Sequence, residues 1–139
     1  MIKKYQPEDL ELVRESLAQE GIDEGIKYFT SDHYTKYLCF KEKELAGWTI
    51  LEKSGDRLII NWILAREKYR REGIGTQLMN KIKEHAQELG VRGISVNTGS
   101  QTTWARKFYE KNGFEEVGSV REYFAFDEKH IFYWYPIDK

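Results

Sequence analysis

Apolar residues along this chain change their period several times, and each change marks an element. Ile2–Tyr5 reads as a short strand. Pro7, Glu8 and Asp9 then open a helix. Proline suits a first helical turn and acids suit the positive helix end. Leu10, Val13 and Leu17 follow at helical spacing. Gly21 and Gly25 bracket a short helical or irregular segment that runs to Phe29. Three runs, Lys36–Lys41, Leu45–Lys53 and Arg57–Ala65, predict a meander with turns at Glu42-Lys43-Glu44 and Ser54-Gly55-Asp56. After Gly73 the period becomes helical: Ile74, Leu78, Ile82, Ala86 and Leu89 form one stripe, and Gly90 is its stop. Gly93–Thr98 predicts a short buried strand, and Thr102–Asn112 a helix ended by Gly113. Phe114–Phe124 and Ile131–Ile137 predict late strands, the last rich in aromatics. Strands and helices in this order predict a mixed α/β (α+β) sheet with helices on both sides.

Composition narrows the class without changing that picture. At 139 residues, residues 1–139 are expected to form a single domain with one core. The chain is 40% hydrophobic and 32% charged with a net charge of −1, and no charge block suggests a nucleic-acid tail or a membrane-surface patch. Two prolines lie near the ends, Pro7 and Pro136, and no linker or repeat divides the chain. The lone cysteine, Cys39, lies in an apolar run and reads as a buried core thiol. The start has no apolar signal region, and the most apolar stretch, Leu58 to Ala65, is too short to span a bilayer. A cytoplasmic protein is therefore expected. His33, His85 and His130 form no metal-ligand spacing, so no metal site is expected. His85 reads as solvated, on the polar side of its helix, and His33 and His130 as surface residues or as part of an acceptor site.

The most informative segment is Arg70-Arg71-Glu72-Gly73-Ile74-Gly75-Thr76, between an apolar strand and an amphipathic helix. A helix start offers several backbone N–H groups without internal partners. Two glycines there let an anion approach the backbone, and Arg70 and Arg71 add positive charge at the rim. Each charge-assisted hydrogen bond to a phosphate is worth about 1.5–3 kcal/mol. The helix dipole adds about 0.3–1 kcal/mol, so several donors together outweigh it. No Gly-Lys-Ser/Thr follows and no third glycine is present, so neither a Walker loop nor a dinucleotide fingerprint is matched. On spacing alone, a plain strand-to-helix turn and an anion site both remain open.

Arg70-x-x-Gly73-x-Gly75 resembles the acyl-CoA signature of the GNAT superfamily of acyltransferases. Ala105-x-x-Phe108-Tyr109-Glu110-Lys111-Asn112-Gly113-Phe114 is similar to that family's other common segment, at the family's separation. The resemblance implies a mixed, mostly antiparallel sheet of about six to seven strands, with helices on both faces and a splayed central cleft. It implies acetyl-CoA as co-substrate and an amine of a small molecule or peptide as acceptor. The backbone of Ile63, Leu64 and Ala65 would hold the pantetheine arm, and that of Arg71, Glu72, Gly73, Ile74, Gly75 and Thr76 the pyrophosphate. Arg70, Thr102, Ala105, Phe108 and Asn112 would complete the cofactor contacts. Thr102 stands where the family commonly has asparagine. Tyr109 would be the general acid for the leaving thiolate. A non-catalytic acyl-CoA-binding module on the same fold is the alternative.

Amine acetylation needs a neutral amine. Some family members carry a glutamate base on the strand before the turn, but the matching stretch here, Ile59-Ile60-Asn61-Trp62, has no acid. A base must come from elsewhere, act through water or be absent. The family fold implies that the first helices and late strands shape the acceptor pocket. Here they carry Glu20, Asp23, Glu24, Tyr28, Phe29 and Asp32, then Arg121 to Phe124 and Trp134. The run Phe132-Tyr133-Trp134-Tyr135 either pairs across a homodimer or fills the core.

Overall fold

A computed structural model describes residues 1–123 and 128–137. The strands are β1 (Ile2–Lys4), β2 (Thr35–Lys41), β3 (Glu44–Ser54), β4 (Arg57–Ala65), β5 (Gly93–Gly99), β6 (Glu115–Arg121) and β7 (Lys129–Pro136). The helices are α1 (Leu10–Gln19), α2 (Ile26–Phe29), α3 (Ile74–Leu89) and α4 (Thr103–Lys111). The strand order is β1-β2-β3-β4-β5-β7-β6. β4 and β5 pair in parallel, while β1–β2, β2–β3, β5–β7 and β6–β7 are antiparallel. The expected mixed, mostly antiparallel sheet is therefore present.

The chain forms two compact units, Met1–Lys53 with Ile60–His85, and Ser54–Ile59 with Ala86–Lys139. In the first unit, alternation along the strands feeds two cores. Leu38, Leu45, Trp48 and Ile50 pack with Val13 and Leu17 of α1 and Phe29 of α2. Their neighbours Cys39 and Ala46 pack on the other side with Tyr69, Ile74 and Leu78. Helices thus cover both faces here because successive strand side chains point to opposite sides. Cys39 is fully buried, as expected of a core thiol.

Several expectations change in detail. Pro7–Asp9 forms a 3-10 turn before α1 rather than its first α-helical turn. Glu44 belongs to β3, so the first hairpin turns on Glu42 and Lys43 alone, both with left-handed φ (51° and 71°). Such a two-residue turn matches strand twist. His85 is not simply solvated: its Nδ1 lies 3.1 Å from the Tyr37 hydroxyl and its ring packs edge-on to that tyrosine. β7 is hydrogen-bonded to β5 on one side and β6 on the other. With both edges used inside its own chain, β7 cannot pair with a second copy, and Ile131 and Tyr133 are buried. β6 ends at Arg121, and Phe124 lies outside the described residues.

Gly47 sets the approach of β3 to the segment leading into α3. A Cβ built there would overlap the Leu64 carbonyl and lie 2.7 Å from Ile74 Cγ2. Backbone cannot yield as a flexible side chain does, so overpacking of this kind costs about 1–3 kcal/mol. Gly47→Ala should lower the unfolding free energy by that amount, read as a lower urea midpoint. An unchanged midpoint would show that the strand and helix start can move apart freely.

Candidate functional site

In the first unit, β4 leads through a 3-10 turn at Glu67–Tyr69 into Arg70–Gly73 and then α3. Ile63 and Ala65 pack on the α3 side of the sheet and Leu64 on the α1 side. Tyr69 is buried beneath the turn, while Arg70, Arg71 and Glu72 are exposed. The first helical backbone bond runs from Gln77 N–H to the Gly73 carbonyl, at 3.0 Å. The N–H groups of Ile74, Gly75 and Thr76 therefore stand ahead of it with no intrahelical acceptor. Arg71 and Gly73 both have left-handed φ, 68° and 81°. For arginine that conformation is costly. A Cβ on Gly73 would meet nothing within 4 Å. Its glycine answers a backbone requirement, and no crowding by the protein itself forbids a side chain.

Charge at this turn is arranged by contacts invisible locally. Glu72 is ion-paired with Lys41 of β2, a bond that holds the ammonium protonated. Arg70 donates from Nε to the Ala65 carbonyl at 3.4 Å, folding back over the strand end. Arg66 anchors that end. Its guanidinium reaches the Leu45 carbonyl at 3.0 Å, Ser16 Oγ at 3.3 Å and Glu20 Oε2 at 3.3 Å. Glu20 also accepts from Glu67 N–H. The Glu20 carboxylate, a candidate for the acceptor pocket from sequence, is thus held in a strand-to-helix clamp.

The same unit has an open pocket lined by Ile22, Glu24, Gly25, Tyr28, Asn61 and Trp62. Trp62 packs against Trp48 and Tyr28 at ring distances of 5.6 and 6.1 Å. Gly25 lets it: a Cβ there would lie 2.6 Å from the indole ring. Phe29, named with this group from sequence, is instead core, 2% exposed against Trp48.

In the second unit, α4 buries Ala105 and Tyr109, four residues apart on one face, with Phe108 half-buried beside them. Tyr109 packs against Phe108, Phe114 and Tyr133 at 5.6–5.8 Å between ring centres. Burial pushes its phenol up to about 12, because the phenolate is the form that loses solvation. Among the described residues, Trp48 Nε1 is the one fully buried side-chain N or O atom without a hydrogen-bond partner. Thr102 caps the start of α4 without a side-chain bond. Asn112, expected to face the ligand, donates its amide to the Phe108 carbonyl at 2.8 Å and closes the helix end. His130 is no plain surface residue: it sits 2.8 Å from Asn97 Oδ1 and is only 13% exposed.

Among the described residues no cluster of three metal-ligating side chains occurs. None of their helices is long and apolar enough to cross a membrane.

The chain is 27% identical over 118 residues to the uncharacterized N-acetyltransferase YycN of Bacillus subtilis (strain 168), covering 82% of this chain and 74% of that protein. The fold superposes with a TM-score of 0.85 on the ribosomal-protein-S18-alanine N-acetyltransferase of Escherichia coli, at 18% identity, over 100% of this chain and 94% of that one. It superposes at 0.73 on a streptothricin acetyltransferase assigned in Bacillus anthracis str. Ames and solved in complex with acetyl coenzyme A. That pair is 28% identical and covers 81% of this chain and 67% of the other. Acyl transfer is the chemistry these likenesses support. The family model described as "Acetyltransferase (GNAT) family" matches residues 3–114, which include both the turn at the head of α3 and the α4 segment, and the chain belongs to that family.

Proposed function

We propose that this chain is an N-acetyltransferase that moves an acetyl group from acetyl-CoA to a primary amine of a small molecule or peptide, by direct attack in a ternary complex. The observation that carries the reading is the head of α3, where unpaired N–H groups, a left-handed Gly73 and two exposed arginines meet. That is a pyrophosphate-binding chemistry. In this reading the backbone of Arg71–Thr76 binds the pyrophosphate, and that of Ile63, Leu64 and Ala65 the pantetheine arm. Arg70, Thr102, Ala105, Phe108 and Asn112 supply further cofactor contacts. Tyr109 is assigned the leaving sulfur, and a cytoplasmic location belongs to the same reading. Support comes from family membership and from a 28%-identical structure that holds acetyl coenzyme A.

The test is thiol release from acetyl-CoA across putrescine, spermidine, an aminoglycoside, a lysine peptide and an N-terminal alanine peptide, beside calorimetric acetyl-CoA binding. Turnover with at least one amine is expected. Binding with no turnover on any of them would leave an acyl-CoA-binding module.

A further inference from the structure

β4 carries no acid, yet a carboxylate reaches it from the neighbouring strand. Glu52 of β3 accepts a hydrogen bond from Asn61 Nδ2 at 3.0 Å through Oε1. Its other oxygen, Oε2, lies 2.7 Å from His33 Nε2. Asn61 lines the open pocket of this unit. His33 does not line that pocket itself but is linked to it through two ring contacts. Its ring stacks edge-on against Tyr34 at 4.9 Å, and Tyr34 against the pocket residue Tyr28 at 5.1 Å.

The loop that carries His33 is pinned. The His33 N–H donates to Ser31 Oγ at 3.2 Å, and the ammonium of the buried Lys36 donates to the Ser31 carbonyl at 2.6 Å. The carboxylate fixes the tautomer: Nε2 carries the proton and donates it to Glu52, which leaves the lone pair on Nδ1. The His33 side chain is 58% exposed, so solvent reaches the ring. The groups facing this imidazole are Glu52 from β3 and Tyr34 and Ser31 from its own loop. Asn61 from β4 stands behind Glu52, with Asp32 and Lys36 nearby along the chain.

We propose that His33 Nδ1 is the proton acceptor for the incoming amine, and that Glu52, held by Asn61, is the residue that positions it. This rests on the acetyltransferase reading above and deepens it, because it implies an acceptor that arrives as an ammonium ion. The ammonium gives one proton to Nδ1. The freed nitrogen lone pair attacks the thioester carbonyl carbon, and the C–S bond breaks. The proton the nitrogen loses on becoming an amide goes to the departing sulfur, giving the free thiol of coenzyme A. The imidazolium then returns its proton to water. Such a base is needed: an alkyl ammonium of pKa about 10.4 is neutral in only about one molecule in 2,500 at pH 7.

The experiment is the pH profile of kcat/KM, at fixed ionic strength, on whichever of the five amines turns over fastest. It is run for the unaltered protein, His33→Gln and Glu52→Gln, with melting temperature and acetyl-CoA affinity measured for each. The unaltered protein should reach a plateau near neutrality. His33→Gln should lose at least about tenfold in kcat/KM at pH 7 and instead rise with a log slope near one toward alkaline pH. There the amine ionises unaided and the gap closes. Glu52→Gln should lower kcat/KM at pH 7 in the same direction and by less, the gap again closing toward alkaline pH, because the imidazole loses the carboxylate that fixes its tautomer and orientation. Acetyl-CoA affinity should be unchanged in both. A His33→Gln profile that overlays that of the unaltered protein would overturn the proposal and leave the acetyltransferase reading intact. So would a loss that is equal at every pH, or one accompanied by weakened acetyl-CoA binding. Absence of turnover by the unaltered protein on all five amines would fell the acetyltransferase reading and this proposal with it.

Discussion

Tyr109→Phe is expected to lower kcat by about 10²–10⁴-fold, the usual range for a positioned acid, with little change in acetyl-CoA affinity. The substitution keeps the ring that packs on Phe108, Phe114 and Tyr133 and removes only the hydroxyl. Burial holds the phenol up at about 12, well above a thiol's reference value of about 8.5. Complete proton transfer from phenol to thiolate is therefore uphill by roughly 3.5 units, or about 4.8 kcal/mol at 1.36 kcal/mol per unit. The hydroxyl then acts chiefly as a hydrogen-bond donor to negative charge growing on sulfur, a role that places the loss toward the low end of that range. The sign of the pH dependence follows. A raised phenol keeps the donating form as pH rises, so no loss of activity from Tyr109 ionisation is expected before about pH 12. The measurement is single-turnover kinetics across pH. An unchanged rate while chemistry limits turnover would make Tyr109 a packing residue.

Gly75→Glu is expected to weaken acetyl-CoA binding well over tenfold while the fold survives. Gly75 is the cleaner of the two glycines to test. Gly73 has φ of 81°, so any side chain there strains the backbone and confuses binding with stability. Gly75 lies in the first turn of α3 and its φ is not left-handed. An acid in a first helical turn is favourable toward the dipole, so helix formation should not suffer. Toward a bound pyrophosphate the same carboxylate is repulsive and bulky. A single lost charge-assisted bond of about 1.5–3 kcal/mol already corresponds to roughly tenfold or more. Titration calorimetry with acetyl-CoA, beside circular dichroism to confirm folding, reads the effect. Near-normal affinity in a folded variant would remove the pyrophosphate from this turn.

Features of the site that rest on contiguous residues were legible in the chain, and those that rest on distant ones were not. The turn Arg70–Thr76 and the α4 segment from Ala105 to Phe114 lie on single stretches, where glycine placement and helical period decide the local backbone. The pairs that organise their surroundings join distant residues. Arg66 meets Glu20 across 46 positions, Tyr37 meets His85 across 48, and His33 meets Glu52 across 19. No local pattern marks such partners. The one available hint was an acid near the end of β3, in the hairpin that returns along β4, and alternation alone did not show that its carboxylate reaches Asn61.

By itself the sequence determined the order of strands and helices, the family, and the turn that heads α3, because backbone periodicity, glycine φ and helix-end donors are properties of consecutive residues. Tertiary structure alone decided three further points. Glu20 serves Arg66 and the Glu67 N–H. β7 has no free edge to offer a second copy. A carboxylate absent from β4 is supplied beside it by β3 and joined to a histidine from the loop before β2. The physical reason is common to all three: a side chain's partner is set by strand register and by which face of the sheet each element covers, and those appear only once the chain has packed.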